Sequence, residues 1–381
     1  MTNETRQWRI SYQQTIAYEI VNCPNLFHPQ NSALLSVGKR ENTRRFVVID
    51  GSVEKHYSTE IKDYFKYHQV DAKIVTFPGG EENKSIDSYI SILHELDSFP
   101  INRRDEPVIA IGGGVLTDVV GFVASSYRRG VPHIKIPTTL MGYIDASVGI
   151  KNGINFNGNK NRLGAFEPPQ KVFLDKTFLK TLPKRHILNG VCEILKLAVI
   201  KDLALFEALE THGVECVDSK FQDDVGALIL DRSIEGMIEE LQPNLFEENL
   251  ARKVDFGHTF SYGLETARDA HLLHGEAVLI DIVISALLAK ARNLLSEKEL
   301  NRLLNLISKL GIILNSGFID SNLLWESIEE RTYHRNGLQR VPLLDGIGKC
   351  VFVNDVKLEE LQLACATLEN WTVINESIYE R

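Results

Sequence analysis

Three side chains in the second half of the sequence are of the types that hold a zinc-like ion: Glu193 in VCEILK, His258 in DFGHTFS and His274 in LLHGEA. One carboxylate and two imidazoles supply three protein ligands and leave coordination space for a substrate hydroxyl or carbonyl. Lys196 follows Glu193 by three residues, so on a helix the two share a face. Spacing alone leaves the set open. His271 could serve in place of His274, and either histidine could instead cap a helix or hydrogen-bond within the core.

A second group suits phosphate. VIAIGGGVLTD puts Gly112, Gly113 and Gly114 directly after a buried strand and before a helix, where backbone N–H groups approach a diphosphate and the helix N-terminus favours negative charge. The spacing is not GxGxxG, so the common dinucleotide fingerprint is missing. PGGEENKS, from Pro78 to Ser85, reads either as a second ligand-lining turn or as a surface turn with a helix cap. Asp145, Lys151, Lys160, Asn161 and Arg162, with Arg128 and Arg129 upstream, gather charge around a Gly- and Asn-rich stretch. Such a group fits a phosphorylated substrate, the plainer alternative for any single lysine being a solvated face.

The elements that must hold these residues fall into two textures. Short apolar runs end at Asp50 (RRFVVID), Gly80 (KIVTFPGG), Gly114 (PVIAIGGG) and Thr139 (HIKIPTT). They are separated by segments of helical period such as Lys84 to Leu96, a pattern that predicts a mostly parallel sheet covered by helices. Trp8 to Ile20 alternates like an added strand or hairpin, and Asn152 to Pro169 reads as a loop between the halves. Helical periodicity then dominates Ile187 to Leu205, Val225 to Leu241, Glu276 to Leu294 and Ser296 to Leu314, with a late strand or hairpin at KCVFVND. The expected architecture is an α/β domain over residues 1–182 and a mainly α-helical domain over 183–381.

Composition bounds the function classes. With 42 Lys+Arg against 51 Asp+Glu the 381-residue chain carries a net charge of -9, which argues against coating nucleic acid or a membrane surface while allowing a local basic pocket. The five cysteines form no CxxC pair, as expected for reduced thiols in the cytoplasm. No apolar stretch is long enough to span a membrane, and MTNETRQWR lacks the apolar core of a signal peptide.

The ordered set GGGVLTDVVGF, IPTTLMGYIDASVGIKNGINF, KNRLGAFEPP, LPKRHILNGVCEILK, DFGHTFS and LLHGEA resembles the sugar phosphate cyclase superfamily, the relatives of dehydroquinate synthase, from about Asp50 to Asp355. The resemblance implies an N-terminal Rossmann-like domain that binds NAD, a C-terminal helical domain that carries a divalent metal (Zn2+ or Co2+), and a homodimer. It implies metal ligands at Glu193, His258 and His274, active-site positions at Asp118, Lys151, Lys160, Asn161 and Lys196, and a phosphate contact at Arg129. Asp50, Glu81, Lys84, Gly113, Gly114, Thr138, Thr139 and Asp145 fall at or near NAD-contacting positions, with Asp118, Lys151 and Lys160 close by.

Within the family the sequence departs from dehydroquinate synthase itself. Asp255 stands where that group has Asn, Tyr262 where it has His, and His334-Arg335 where it has a lysine pair. EPPQ, DFGHTFS and HRNGLQRVPLLDGIG resemble the branch acting on sedoheptulose 7-phosphate, and Asp255 and His334, with Leu241, favour 2-epi-5-epi-valiolone over desmethyl-4-deoxygadusol as product. In that branch Asp255 and His334 are expected to orient the substrate hydroxyls. Tyr262 departs from the Pro expected there and leaves 2-epi-valiolone open as a product. An NAD-dependent polyol dehydrogenase of the same fold is the enzyme class to separate from these.

Overall fold

The computed structural model describes residues 7–37, 44–266, 272–314 and 319–379, with side chains followed to residue 371. Strands β1 (Glu19–Asn22), β2 (Arg45–Asp50), β3 (Ala72–Phe77), β4 (Val108–Gly112), β5 (His133–Pro137) and β8 (Lys171–Leu174) form one sheet in the order β1-β8-β5-β4-β2-β3. All five pairings are parallel. Helices α1 (Gly51–Tyr67), α2 (Ile86–Asp97) and α3 (Gly114–Ser126) make the crossovers. The buried-strand runs read from the sequence fall on β2 to β5. β2 and β4 are apolar through their middles because helices cover both faces: Val47, Ile49, Ile109 and Ile111 belong to one apolar cluster, and Phe46, Val48, Val108 and Ala110 to another.

Two sequence expectations change. The stretch Asn152 to Pro169 is no loop: β6 (Lys151–Phe156) and β7 (Asn159–Phe166) pair antiparallel. Asn157 and Gly158 both have positive φ, 50° and 76°, the two-residue turn whose twist matches a hairpin. Strand character was hidden because one buried side carries little apolar bulk. Asn152 fits against α3 at Gly121, where a Cβ would overlap its side chain. In the Trp8 to Ile20 segment only the end forms a strand. β1 adds to the edge of the sheet beside β8, while Trp8, Ile10 and Tyr12 lie exposed with no strand beside them.

From α4 (Lys184–Lys201) onward the chain is helical: α5 (Leu203–Asp218), α6 (Asp224–Leu241), α7 (Ser261–Thr266), α8 (His274–Ala291), α9 (Glu297–Lys309), α10 (Ser321–His334) and α11 (Leu358–Tyr379). The predicted helix Ile187 to Leu205 is broken at Asp202, whose carboxylate accepts from the Leu205 N–H and starts α5. The late strand is β10 (Cys350–Val353), paired antiparallel with β9 (Val341–Leu344). α8 is buried nearly all round, from Ala277 to Ala289, and forms the centre of the helical half. All five cysteines are free, and among the described residues no helix is long and apolar enough to cross a membrane.

Candidate active site

The positions expected to meet a nucleotide gather at the carboxyl ends of the parallel strands. β2 leads to β3 on one side and the chain then crosses to β4 on the other, so Asp50 and Gly112 end the two strands that flank the reversal, the usual place for a ligand crevice. A Cβ on Gly112 would stand 3.1 Å from the Asp50 Cβ, so the turn lies close against that carboxylate. Asp50 caps α1 by accepting from the Ser52 N–H at 2.8 Å. α3 begins after Gly113 with no side-chain cap, which leaves its first N–H groups available to an anion. Thr139 packs on this turn and accepts from the Gly142 N–H at 3.1 Å, fixing the start of the π-helical turn Gly142–Ala146 that carries Asp145. Thr138 is buried at the end of β5 and donates its N–H to the Gly112 carbonyl. These features fit a dinucleotide.

The stretch Pro78 to Ser85 serves both roles weighed from the sequence. Ser85 caps α2, accepting from the Ser88 N–H at 3.3 Å, while Lys84 is buried and Glu81 stays exposed beside the hairpin, accepting from Asn155. Lys84 Nζ donates to Asp118 at 2.7 Å and to Asn161 Oδ1 at 2.5 Å. Burial works against the charge of Lys84, but Asp118 and Glu81 outweigh it and raise its pKa. Asp118 sits in the opening turns of α3 and Asn161 on β7, so this lysine joins the strand ends to the hairpin. Lys151 begins β6, exposed, 3.0 Å from Glu247.

The metal-type residues come together. Glu193 lies on α4 fully buried, with Lys196 Nζ ion-paired to its Oε2 as the helical spacing requires. One turn before Glu193, Asn189 Oδ1 accepts from the Gly275 N–H at 2.7 Å. That contact sets the N-terminus of α8, and with it His274, against α4. The His258 and His274 Nε2 atoms are 3.3 Å apart, and each faces Glu193 Oε1, at 3.7 and 3.5 Å. Ligands about 2.0–2.1 Å from a tetrahedral ion lie roughly 3.3–3.4 Å from one another, so this triangle of donors has the edge lengths an ion of that kind needs. His258 Nδ1 donates to the Phe256 carbonyl at 3.2 Å and His274 Nδ1 to Glu265 at 3.0 Å, which turns both Nε2 lone pairs inward. The donors fit a divalent metal. His271, the alternative ligand, lies outside the described residues.

The electrostatics follow from crowding. Burial tends to raise the Glu193 pKa, yet Lys196 and the two histidines hold it well below the ordinary carboxylate range. Burial first, then the Lys196 ammonium, push His258 down to about 3. For His274 burial is outweighed by Glu265 and Glu193, which raise it to about 10. Asp145 is raised by burial and by Glu193, against the pull of Lys196.

Other expected residues land elsewhere. Arg129 is exposed beyond the C-terminal end of α3, with φ of 64°. At 1.5 Å per residue the helix carries the chain about 12 Å further along its axis between Asp118 and Ser126, so this chain does not bring Arg129 to Asp118. His334 ends α10 exposed, beside the Tyr333 ring. Asp255 is buried, with both oxygens engaged: Oδ1 with Arg252 at 2.5 Å, Oδ2 with Arg331 at 3.2 Å and Arg335 at 2.6 Å. Despite burial, those guanidiniums hold it far below the ordinary range. Its neighbours from α10 and the residue that caps it are thus Arg331 and Arg335, and not His334.

Several participants were missed from the sequence. Glu265 comes from the six-residue α7, too short to show a period, and Arg252, Arg331 and Asn189 carry no motif of their own. Lys135 on β5 is fully buried, its Nζ facing the carbonyls of Gly149 at 3.4 Å and Ala146 at 3.5 Å, and burial lowers it to about 8. A lysine inside an apolar run gives no sign that its ammonium will reach the turn bearing Asp145.

Comparison with known proteins agrees with this arrangement. The 3-dehydroquinate synthase N-terminal family matches residues 74–189 and the 3-dehydroquinate synthase C-terminal family residues 190–332. The chain is 45% identical to a 2-epi-5-epi-valiolone synthase of Streptomyces albus over 95% of its own length and 90% of that enzyme's. It is 38% identical to a demethyl-4-deoxygadusol synthase of Trichormus variabilis, covering 93% and 88%. A solved 2-epi-5-epi-valiolone synthase from Streptomyces hygroscopicus subsp. jinggangensis 5008, with NAD+ and Zn2+ bound, superposes with a TM-score of 0.92 at 42% identity, covering 95% of this chain and 99% of that one. With the strand-end crevice, the three-donor triangle and similarity along nearly the whole chain in agreement, the protein belongs to the sugar phosphate cyclase superfamily of dehydroquinate synthase-like enzymes.

Proposed function

We propose that this chain is an NAD- and divalent-metal-dependent lyase that cyclises sedoheptulose 7-phosphate to 2-epi-5-epi-valiolone and releases phosphate. The observation that carries the reading is the donor triangle of Glu193, His258 and His274, joined through Glu265, Lys160 and Asn161 to the Lys84–Asp118 pair beside the nucleotide crevice. The 2-epi-5-epi-valiolone synthases of similar sequence supply the substrate and product. Residues 1–182 would hold the nucleotide and 183–381 the metal, in a cytoplasmic homodimer.

Glu193, His258 and His274 hold the metal, and the turn Gly112 to Gly114 with Asp50 holds the nucleotide. When bound, these groups supply Lewis-acid polarisation of a substrate oxygen and a transient oxidation returned within one turnover. The remaining work falls to the side chains. Lys151, Lys160 and Asn161 on the hairpin present donors to the substrate's phosphate and hydroxyls; Arg129, exposed beyond the end of α3, does not join them within one chain. Lys196 Nζ, held at Glu193, offsets negative charge developing on an oxygen next to the metal ligands. Asp118 keeps Lys84 in place, and Lys84 in turn donates to Asn161. Asp255 acts through Arg252, Arg331 and Arg335, orienting guanidiniums rather than accepting substrate hydroxyls itself.

The test is purified protein with NAD+, Zn2+ or Co2+, and sedoheptulose 7-phosphate, followed by phosphate release and NMR of the cyclitol. A 2-epi-5-epi-valiolone spectrum supports the reading. Demethyl-4-deoxygadusol would move the chain to the sister branch, turnover only with the 3-dehydroquinate synthase substrate would overturn the substrate, and NADH accumulating with simple polyols would overturn the reaction class.

A further inference from the structure

Beyond the ligands and the nucleotide crevice, one buried carboxylate touches both a metal-type histidine and the β6–β7 hairpin. Glu265 lies on α7 with its side chain 7% exposed. Its Oε1 accepts from His274 Nδ1 at 3.0 Å, while its Oε2 is ion-paired with Lys160 Nζ on β7. Lys160 Nζ is also 3.8 Å from Glu81 Oε1, and that oxygen accepts from Asn155 Nδ2 on β6 at 2.9 Å. One turn earlier on α7, the Tyr262 hydroxyl donates to Asn159 Oδ1 at 3.3 Å, where β7 begins. α7 thus meets the hairpin through two side chains. α7 is itself pinned: buried Asp281 on α8 accepts from the N–H groups of Phe260 at 2.5 Å and Ser261 at 3.0 Å.

We propose that Glu265 is a positioning residue that fixes His274 as a metal ligand and ties it to the hairpin, so that metal binding and hairpin order are coupled. The proposal rests on the metal site assigned above. A carboxylate on Nδ1–H fixes the tautomer in which Nε2 is the ligand atom and sets the ring's orientation toward Glu193 and His258; losing such a partner typically weakens metal binding about 10–100-fold. His258 has only a backbone carbonyl in that role, at 3.2 Å, so no side-chain change can remove its support. The other half of Glu265 holds an ammonium that would otherwise be left without its nearest anion. Because one carboxylate serves both partners, whatever steadies His274 steadies Lys160, and the effect is reciprocal.

The experiment uses the full-length apoprotein. Zn2+ affinity is measured by competition with a chromophoric chelator, and amide hydrogen exchange of residues 151–166 is followed with and without Zn2+. In the unmodified chain Zn2+ slows exchange in the hairpin. Glu265→Gln, which keeps the volume and removes the charge, is expected to weaken Zn2+ binding about 10–100-fold and to abolish the hairpin response. Lys160→Met is expected to abolish the hairpin response and, because the coupling is reciprocal, to weaken Zn2+ binding as well, by less than Glu265→Gln does. A purely structural role for Glu265 would lower thermal stability of the apoprotein without those losses. Zn2+ affinity within about twofold of the unmodified chain in Glu265→Gln overturns the proposal, as does an intact hairpin response in Lys160→Met. Glu193→Gln is the control: unchanged Zn2+ affinity there would mean that the metal assignment itself has failed, an outcome distinct from failure at Glu265 alone. Should Glu265→Gln not fold, Glu265→Asp carries the affinity test with the same two outcomes.

Discussion

Gly275→Ala isolates the contact that brings His274 to Glu193. A Cβ at position 275 would lie 2.1 Å from the Asn189 carbonyl oxygen and 2.9 Å from its carbonyl carbon, both backbone atoms of α4 that cannot swing aside. Non-bonded heavy atoms settle at about 3.5 Å or somewhat less when one is oxygen, so α8 must retreat from α4 by roughly 1 Å. The retreat also stretches the 2.7 Å hydrogen bond from the Gly275 N–H to Asn189 Oδ1. His274 is the adjacent residue and moves with it, whereas metal–ligand distances tolerate only about 0.2 Å. The expected result is a loss of Zn2+ affinity of about 100-fold or more, with apoprotein stability lower by about 1–3 kcal/mol from overpacking. Chelator competition reads the first and denaturant unfolding of the apoprotein the second. An alanine variant that binds Zn2+ as tightly as the unmodified chain and unfolds at the same denaturant concentration would refute the claim that this helix contact sets the ligand geometry.

Glu193→Gln should remove stoichiometric metal and turnover together, measured by elemental analysis and phosphate release; full metal content would sink the ligand assignment. Asp255→Ala should destabilise the protein by about 3–5 kcal/mol in denaturant unfolding, because Arg252, Arg331 and Arg335 lose the buried carboxylate they share; a change under about 1 kcal/mol would show that the arginines are satisfied elsewhere. His133 is fully buried with no hydrogen-bond partner for either ring nitrogen, and burial, then Lys135, depress it to about 3. A folded pKa below the unfolded value of about 6.5 means that the unfolded chain takes up the proton first, so stability is lost as pH falls below about 6.5, by roughly 2 kcal/mol at pH 5 for this one ring. His133→Leu should flatten the decline in unfolding free energy between pH 7 and pH 5 by about that amount, and an unchanged slope would mean that the ring finds a proton acceptor.

The sheet was legible because β2 and β4 are buried on both faces and announce themselves as apolar runs, while the helices between the strands expose one side. The hairpin β6–β7 was not, since its buried positions include Asn152 and Gly153, chosen for fit against α3 and β7 rather than for hydrophobicity. Its one clear signal is Asn157-Gly158, a turn pair that fixes register but sits between flanks that do not alternate. Helix boundaries failed where a side chain decides them, as at Asp202. In the site, the ligand residue types could be named but not their convergence, which depends on Asn189 meeting Gly275 across 86 residues of sequence. The same limit explains His334 and Arg335: adjacent in sequence at the end of α10, they point to different surroundings, and only Arg335 reaches Asp255.

The supports of the two histidines differ in a way that bears on how the site assembles. His258 follows directly on a turn whose own carbonyl, that of Phe256, orients its ring, and Arg331 donates to the His258 carbonyl at 3.3 Å while also reaching Asp255. Its placement is therefore built within the helical half. His274 is oriented by Glu265, whose second oxygen belongs to Lys160 on the hairpin that packs against α3. The carboxylate that readies His274 is thus shared with the nucleotide-side half, and displacing the hairpin would loosen one ligand while leaving His258 and Glu193 in place. On the proposed coupling, two fixed donors and one conditional donor form a site whose affinity for metal would respond to whatever occupies the hairpin, and on the proposed function that occupant is a phosphorylated substrate. Zn2+ affinity should then change when substrate or inorganic phosphate is added to the NAD-loaded protein and stay constant when it is added to Glu265→Gln. An equal change in both proteins would place the coupling elsewhere.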